Sequence, residues 1–233
     1  MSINKQITAI SLFSGLGGDS LGLKQAGCDV IAYNELKPKF CDSHEANFPG
    51  CELIKDGEAN DITKINDDCF SKYNGKCDII FAGFPCQGFS NAGLKKDNDP
   101  RNTLFREFLR ATKLIQPAMI IGENVKGLLS RKTEKSDVLY IDIIVAEFEK
   151  IGYEVKFQVC KTNQYNVPQK RERLIIIGTK KDNPYGWTPS FPEPLNTKPH
   201  LKNIVSYSME GSVKVDPKMF ENIPKECIMT NMK

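Results

Sequence analysis

Cys86 stands in the segment Phe84-Pro85-Cys86-Gln87-Gly88-Phe89-Ser90, directly after the apolar run CDIIFAG. Proline before it and glycine beyond it predict an exposed loop, in which a thiolate acts as a nucleophile once neighbouring cations favour the ionised form. The other seven cysteines read as the small buried hydrophobes that most cysteines are. Glu123 closes a second apolar run, AMIIGEN, with Asn124 beside it. A carboxyl group is therefore expected at the same edge as Cys86, where desolvation fits it for general acid work. Farther on, Gln169, Arg171 and Arg173 alternate in QKRER, which predicts that they share one strand face and turn guanidinium groups toward phosphate or base.

A second set of residues suits a nucleoside ligand. Phe13-Ser14-Gly15-Leu16-Gly17-Gly18 follows the run ITAISL, and glycines in such a strand-to-helix turn let a ligand approach the backbone at a helix N-terminus. Glu35 ends the next apolar run twenty residues after Gly15, where a carboxylate accepts the hydroxyls of a ribose. Ser20 occupies the place of the third glycine of a dinucleotide fingerprint, which disfavours a nicotinamide cofactor and leaves an adenosine-containing one.

These residues need a frame that brings strand ends together. Apolar runs alternate with amphipathic stretches: ITAISLF then GGDSLGLKQAG, DVIAYNE then KPKFCDSHEANF, CDIIFAG then NTLFREFLRATKLI, AMIIGEN then DVLYIDIIVAEFEKIG. Strands apolar throughout, each followed by a helix, predict an α/β fold with a doubly wound, mostly parallel sheet. YEVKFQVC and RLIIIGT then predict an antiparallel, hairpin-like edge. The pattern stops near Lys180, and the segment from Asn183 to Pro199 holds five prolines, which predicts a catalytic domain over 1–180 and a linker with the start of a further region over 181–233.

Composition sets outer limits. A formal charge of +3 announces no nucleic-acid partner by itself. Eight cysteines without a CxxC pair in a 233-residue chain suit a reducing cytoplasm better than a disulfide scaffold, and two histidines without close cysteines offer no zinc ligand set. Neither a secretion signal nor a membrane span is expected, since no cationic start precedes an apolar run and no eighteen apolar residues stand together.

Taken in order, these motifs resemble the cytosine-5 DNA methyltransferases of bacterial type over Ile7 to Thr179. FSGLGG, from Phe13 through Leu16 to Gly18, is similar to the family's cofactor loop, and Asn34-Glu35-Leu36 to its ribose-binding segment. Asp61-Ile62 resembles the pair that meets the adenine, and GFPCQGFS the nucleophile loop, with Pro85 toward the cofactor and Gln87 and Ser90 supporting loop or DNA. DPRNTLFREFLR places Leu104 near the cofactor, while ENVKGLL and VPQKRER complete the series, with Asn124 and Gln169 as further support. The resemblance implies a Rossmann-like methyltransferase fold, S-adenosylmethionine as methyl donor and double-stranded DNA as substrate. It implies that Cys86 adds to C6 of cytosine, that Glu123 meets N3, that Arg173 holds the O2 side and that Arg171 holds the neighbouring backbone and loop.

The late cofactor block and a complete target-recognition region are not found after Val205, so a second polypeptide supplying both is expected. Two other readings stay open: a transfer-RNA cytosine-5 methyltransferase, and a non-catalytic fragment that binds DNA or a partner. Membership of a restriction-modification pair is implied by the bacterial-type motifs alone.

Overall fold

The computed structural model describes residues 5–85, 104–132 and 137–195. Seven strands form one sheet: β1 (Thr8–Leu12), β2 (Asp29–Asn34), β3 (Glu52–Leu53), β4 (Ile79–Ala82), β5 (Met119–Asn124), β6 (Tyr153–Lys161) and β7 (Glu172–Lys180). Their order is β3-β2-β1-β4-β5-β7-β6, with β1 to β5 parallel and β7 antiparallel to both its neighbours. Connecting helices are α1 (Gly18–Gln25), α2 (Pro38–Asn47), α3 (Asp68–Ser71), α4 (Phe105–Ile115) and α5 (Tyr140–Lys150). The doubly wound sheet and the antiparallel edge are thus present. Short β3 was not anticipated, because two residues carry no periodic pattern.

Both faces of the central strands are covered, which explains their unbroken apolar runs. Ile10, Ile80, Ile120, Leu174 and Ile176 belong to the larger core, with Phe108 and Ile115 of α4 and Ile144 and Phe148 of α5. The alternate residues Ala9, Val30 and Ile79 pack on the other face with Leu23 of α1, and Phe81, Met119 and Ile121 join them. The strand order reverses between β1 and β4, and open α/β sheets bind ligands in the crevice beyond the carboxyl ends at such a point.

Beyond Lys180 the chain remains in contact with this domain as far as it is described. Tyr185 and Trp187 stack with ring centroids 4.3 Å apart, and Trp187 joins the α1-side core. The Tyr185 hydroxyl donates to Asp78 at 2.6 Å, and the Leu195 amide to the Gln164 carbonyl at 2.7 Å. The chain divides into units of residues 1–198 and 199–233, and the second lies outside the described residues. Among the described residues no helix is long and apolar enough to cross a membrane, no group of three His, Cys, Asp or Glu could hold a metal, and Cys28, Cys41, Cys51, Cys69, Cys77 and Cys160 are free thiols.

Candidate active site

The turn from β1 into α1 is built of backbone that few residues tolerate. Phe13 has φ +58°, Gly15 +55° and Gly17 +89°, all in the left-handed region. At Gly17 a further constraint applies, since a Cβ there would lie 2.3 Å from Cε2 of Phe48 and 2.9 Å from Cδ2 of His44. Those rings are fixed: His44 stacks on Tyr33 at 3.7 Å and pairs with the Ser20 hydroxyl through Nε2 at 2.9 Å. Burial without a countercharge lowers the His44 pKa to about 4, so the ring is a neutral packing element beneath the turn. In front of the turn there is space, because a Cβ at Gly15 or Gly18 meets nothing within 4 Å.

Glu35 locks the turn to the end of β2. One carboxylate oxygen accepts from the Gly15 amide at 2.9 Å and the other from the Lys37 amide at 2.9 Å. A carboxylate oxygen accepts more than one hydrogen bond, so both remain able to take hydroxyls from a ligand. Asn34 acts through the backbone: its carbonyl accepts from Ser14 at 3.1 Å, and its amide donates to the carbonyls of Ile54 at 2.9 Å and Asn60 at 3.1 Å. Asn34 thereby ties down the loop that bears Asp61. The Asp61 side chain caps the following 3-10 turn by accepting from the amide and hydroxyl of Thr63, and Ile62 is buried in the larger core. Leu16 and Leu36 are 57% and 59% exposed beside the turn, and Leu104 packs against the larger core just ahead of α4.

A cleft of about 350 Å³ opens at the carboxyl edge, lined by Phe13, Ser14, Gly18, Asp19, Phe81, Gly83 and Glu123. It brings the glycine turn together with the acid that closes β5. Glu123 is held by Arg173, whose Nε lies 2.7 Å from Oε1, while Nη1 of Arg173 donates to the Glu172 carbonyl at 2.8 Å. The next residue, Asn124, projects to the opposite face, where its amide donates to the Phe84 carbonyl at 3.1 Å and its oxygen accepts from the Val125 amide at 2.8 Å. Adjacent residues of β5 thus serve the cleft and the root of the segment that leads to Cys86. Pro85 ends the described part of that loop; Cys86, Gln87 and Ser90 lie outside the described residues.

The expected shared face of Gln169, Arg171 and Arg173 is corrected by the structure. Strand β7 begins at Glu172, so strand alternation does not reach Gln169 or Arg171. Arg171 lies with Lys161, Asn163, Lys170 and Glu172 around a separate cleft of about 490 Å³. The Gln169 carbonyl and the Arg171 amide are both engaged by the Thr162 hydroxyl. Asp19, Phe81 and Gly83 line the cleft without being singled out by the motifs, and of these three the ionisable group is Asp19. Its proximity to Ser11 is a contact between α1 and β1 that spacing alone does not reveal.

A reversed β7 beside a doubly wound parallel sheet, with the glycine turn and the acid-bearing strand end in one cleft, defines a Rossmann-like methyltransferase fold. The chain belongs to the C-5 cytosine-specific DNA methylase family, whose model matches residues 7–230. Among curated proteins it is 39% identical over 197 residues to the Type II methyltransferase M1.HphI of Haemophilus parahaemolyticus, covering 82% of this chain and 50% of that protein. To the Type II methyltransferase M.Eco47II of Escherichia coli it is 36% identical over 213 residues, covering 89% and 48%. The chain therefore spans about half the length of the curated relatives it matches. A solved structure of a putative DNA modification methyltransferase encoded within a prophage of E. coli superposes with a TM-score of 0.62 at 28% identity, over 81% of this chain and 52% of that one. The fold is shared also with DNMT2 of Spodoptera frugiperda, with a TM-score of 0.67 at 21% identity over 91% and 62%.

Proposed function

We propose that this chain carries the cofactor-binding and catalytic half of an enzyme that methylates C5 of cytosine in double-stranded DNA, with residues 1–180 as the catalytic unit and 181–233 beginning a target-recognition region. The observation that supports this best is the single cleft that joins the Ser14–Gly18 turn to Glu123 and, through it, to Arg173. S-adenosylmethionine supplies an electrophilic methyl group when bound. The residues fit it: Glu35 has accepting capacity for ribose hydroxyls, the Ser14 hydroxyl is buried without a hydrogen-bond partner among the described residues, and exposed Leu16 and Leu36 offer apolar contact beside the turn. Asp61, Ile62, Pro85 and Leu104 complete the set proposed from the motifs.

The chemistry assigned to the protein's own groups follows from the inertness of cytosine C5. The Cys86 thiolate adds to C6 and pushes an electron pair toward N3, where Glu123 supplies or shares a proton. Arg173 holds Glu123 and, with it, is assigned to the base's N3 and O2 side, so positive charge stands where negative charge develops. C5, made nucleophilic, takes the methyl group; loss of the C5 proton then expels the thiolate and restores the ring. Asn124 anchors the root of the Cys86 loop, and Arg171, with Lys161 and Lys170 nearby, faces phosphate. Extruding the base costs a few kcal/mol of stacking, about what phosphate and groove contacts must offset.

A second polypeptide that supplies target recognition and the late cofactor block is part of the proposal. The test is transfer of labelled methyl from S-adenosylmethionine to duplex DNA or transfer RNA, with and without a candidate partner. Label at C5 of cytosine in DNA is expected; label in transfer RNA alone would overturn the substrate assignment.

A further inference from the structure

Asp19, in the first turn of α1, lines the same cleft as Ser14 and Glu123. The two cleft acids differ in their compensation. Glu123 is neutralised by Arg173 at 2.7 Å, whereas Asp19 has no ion pair among the described residues and is held by the Ser11 hydroxyl and the adjacent amides. Burial raises the Asp19 carboxyl above its ordinary value, and the nearby Glu123 adds to that. A carboxylate so placed destabilises the empty cleft and gains most from a cation that enters it. The same cleft holds a buried hydroxyl, since Ser14 is 7% exposed and its Oγ has no partner among the described residues. An uncompensated acid and an orphan hydroxyl together suit a ligand that brings positive charge and a hydrogen-bonding group.

We infer that Asp19 reads the charge of the methyl donor, favouring the cationic sulfonium form over the neutral thioether that remains after transfer. This rests on the cofactor reading above and deepens it. Donor and spent product share adenine, ribose and the amino-acid tail, so Glu35 cannot distinguish them, while a carboxylate near the sulfur can. Asp19 is on this account a specificity residue that helps the spent cofactor leave, and takes no part in proton transfer to the base.

The experiment is calorimetric titration of the full chain with S-adenosylmethionine and, separately, S-adenosylhomocysteine, in wild type, Asp19→Asn and Glu35→Gln. Asp19→Asn should weaken donor binding about tenfold or more, as expected for a lost contact to a charged group, and leave product binding within about twofold. Glu35→Gln should weaken both by the same factor. Equal loss of both ligands in Asp19→Asn, or loss of neither, overturns the charge-reading role and leaves the cofactor reading standing. Failure of the wild-type chain to bind either ligand, both alone and with the candidate partner polypeptide, overturns the cofactor reading itself. Thermal melting verifies that each variant is folded, and if Asp19→Asn is not, Asp19→Ser keeps a partner for Ser11 and carries the same expectation.

Discussion

Substituting alanine for Gly17 and, separately, for Gly15 tests how the turn between β1 and α1 is built. Both glycines lie in the left-handed region, at φ +89° and +55°, where an L-residue costs about 1–2 kcal/mol. Only at Gly17 would the new methyl also meet side chains, at 2.3 Å from Phe48 and 2.9 Å from His44. Neither ring can yield freely, because His44 is stacked on Tyr33 and bonded to Ser20, and Phe48 is 6% exposed. Overpacking of this kind adds about 1–3 kcal/mol. Gly17→Ala should therefore lose about 2–5 kcal/mol and Gly15→Ala about 1–2 kcal/mol. Urea unfolding reads the difference as a shift of midpoint at constant slope. Gly15→Ala should instead weaken S-adenosylmethionine binding, since its methyl would enter the space in front of the turn. Equal stabilities of the two variants, within about 0.5 kcal/mol, would refute the steric argument.

Three further outcomes follow from the same geometry. His44 is buried neutral with its pKa lowered to about 4, so its contribution is full above the unfolded value near 6.5 and fades as pH falls toward 4; His44→Gln should flatten the stability profile over that window, and an unchanged profile would contradict the assignment. Burial pushes the Asp78 carboxyl up, but bonds from Tyr185, Thr8 and Lys5 outweigh it and hold the pKa below the ordinary carboxylate value. Asp78→Asn should cost about 1–3 kcal/mol at neutral pH, with the difference from wild type vanishing as acid protonates the native carboxylate, as read by urea unfolding across pH. Asn124→Ala removes the amide that holds the Phe84 carbonyl, and should lower the methylation rate more than S-adenosylmethionine affinity, measured side by side.

The parallel strands β1, β2, β4 and β5 were legible because each is covered on two faces and so spells an apolar run, as in Ala9-Ile10 and Ile79-Ile80, whose members enter opposite cores. The glycine turn was legible for a similar reason, since positive φ and close approach restrict residue choice at Gly15 and Gly17. Arg171 and Arg173 parted because alternation holds only inside a strand, and β7 starts between them. Asp19 was not legible because its meaning depends on Ser11 across the β1–α1 packing and on its lack of an ion pair among the described residues, neither of which is written in local spacing. Tyr185, within a proline-rich stretch that reads as a linker, reaches Asp78 across 107 positions of sequence, beyond any periodic signal.

The central claim, covalent methylation of cytosine C5 in DNA through Cys86, is tested most directly by trapping. Duplex DNA containing 5-fluorocytosine is incubated with labelled S-adenosylmethionine and the chain, alone and with a candidate recognition subunit. The C5 fluorine blocks the final elimination, so a stable protein–DNA adduct carrying label should form, map to Cys86, and be absent from Cys86→Ala. Labelled adduct formation by Cys86→Ala, or turnover by wild type with no adduct at any stage, would contradict the account.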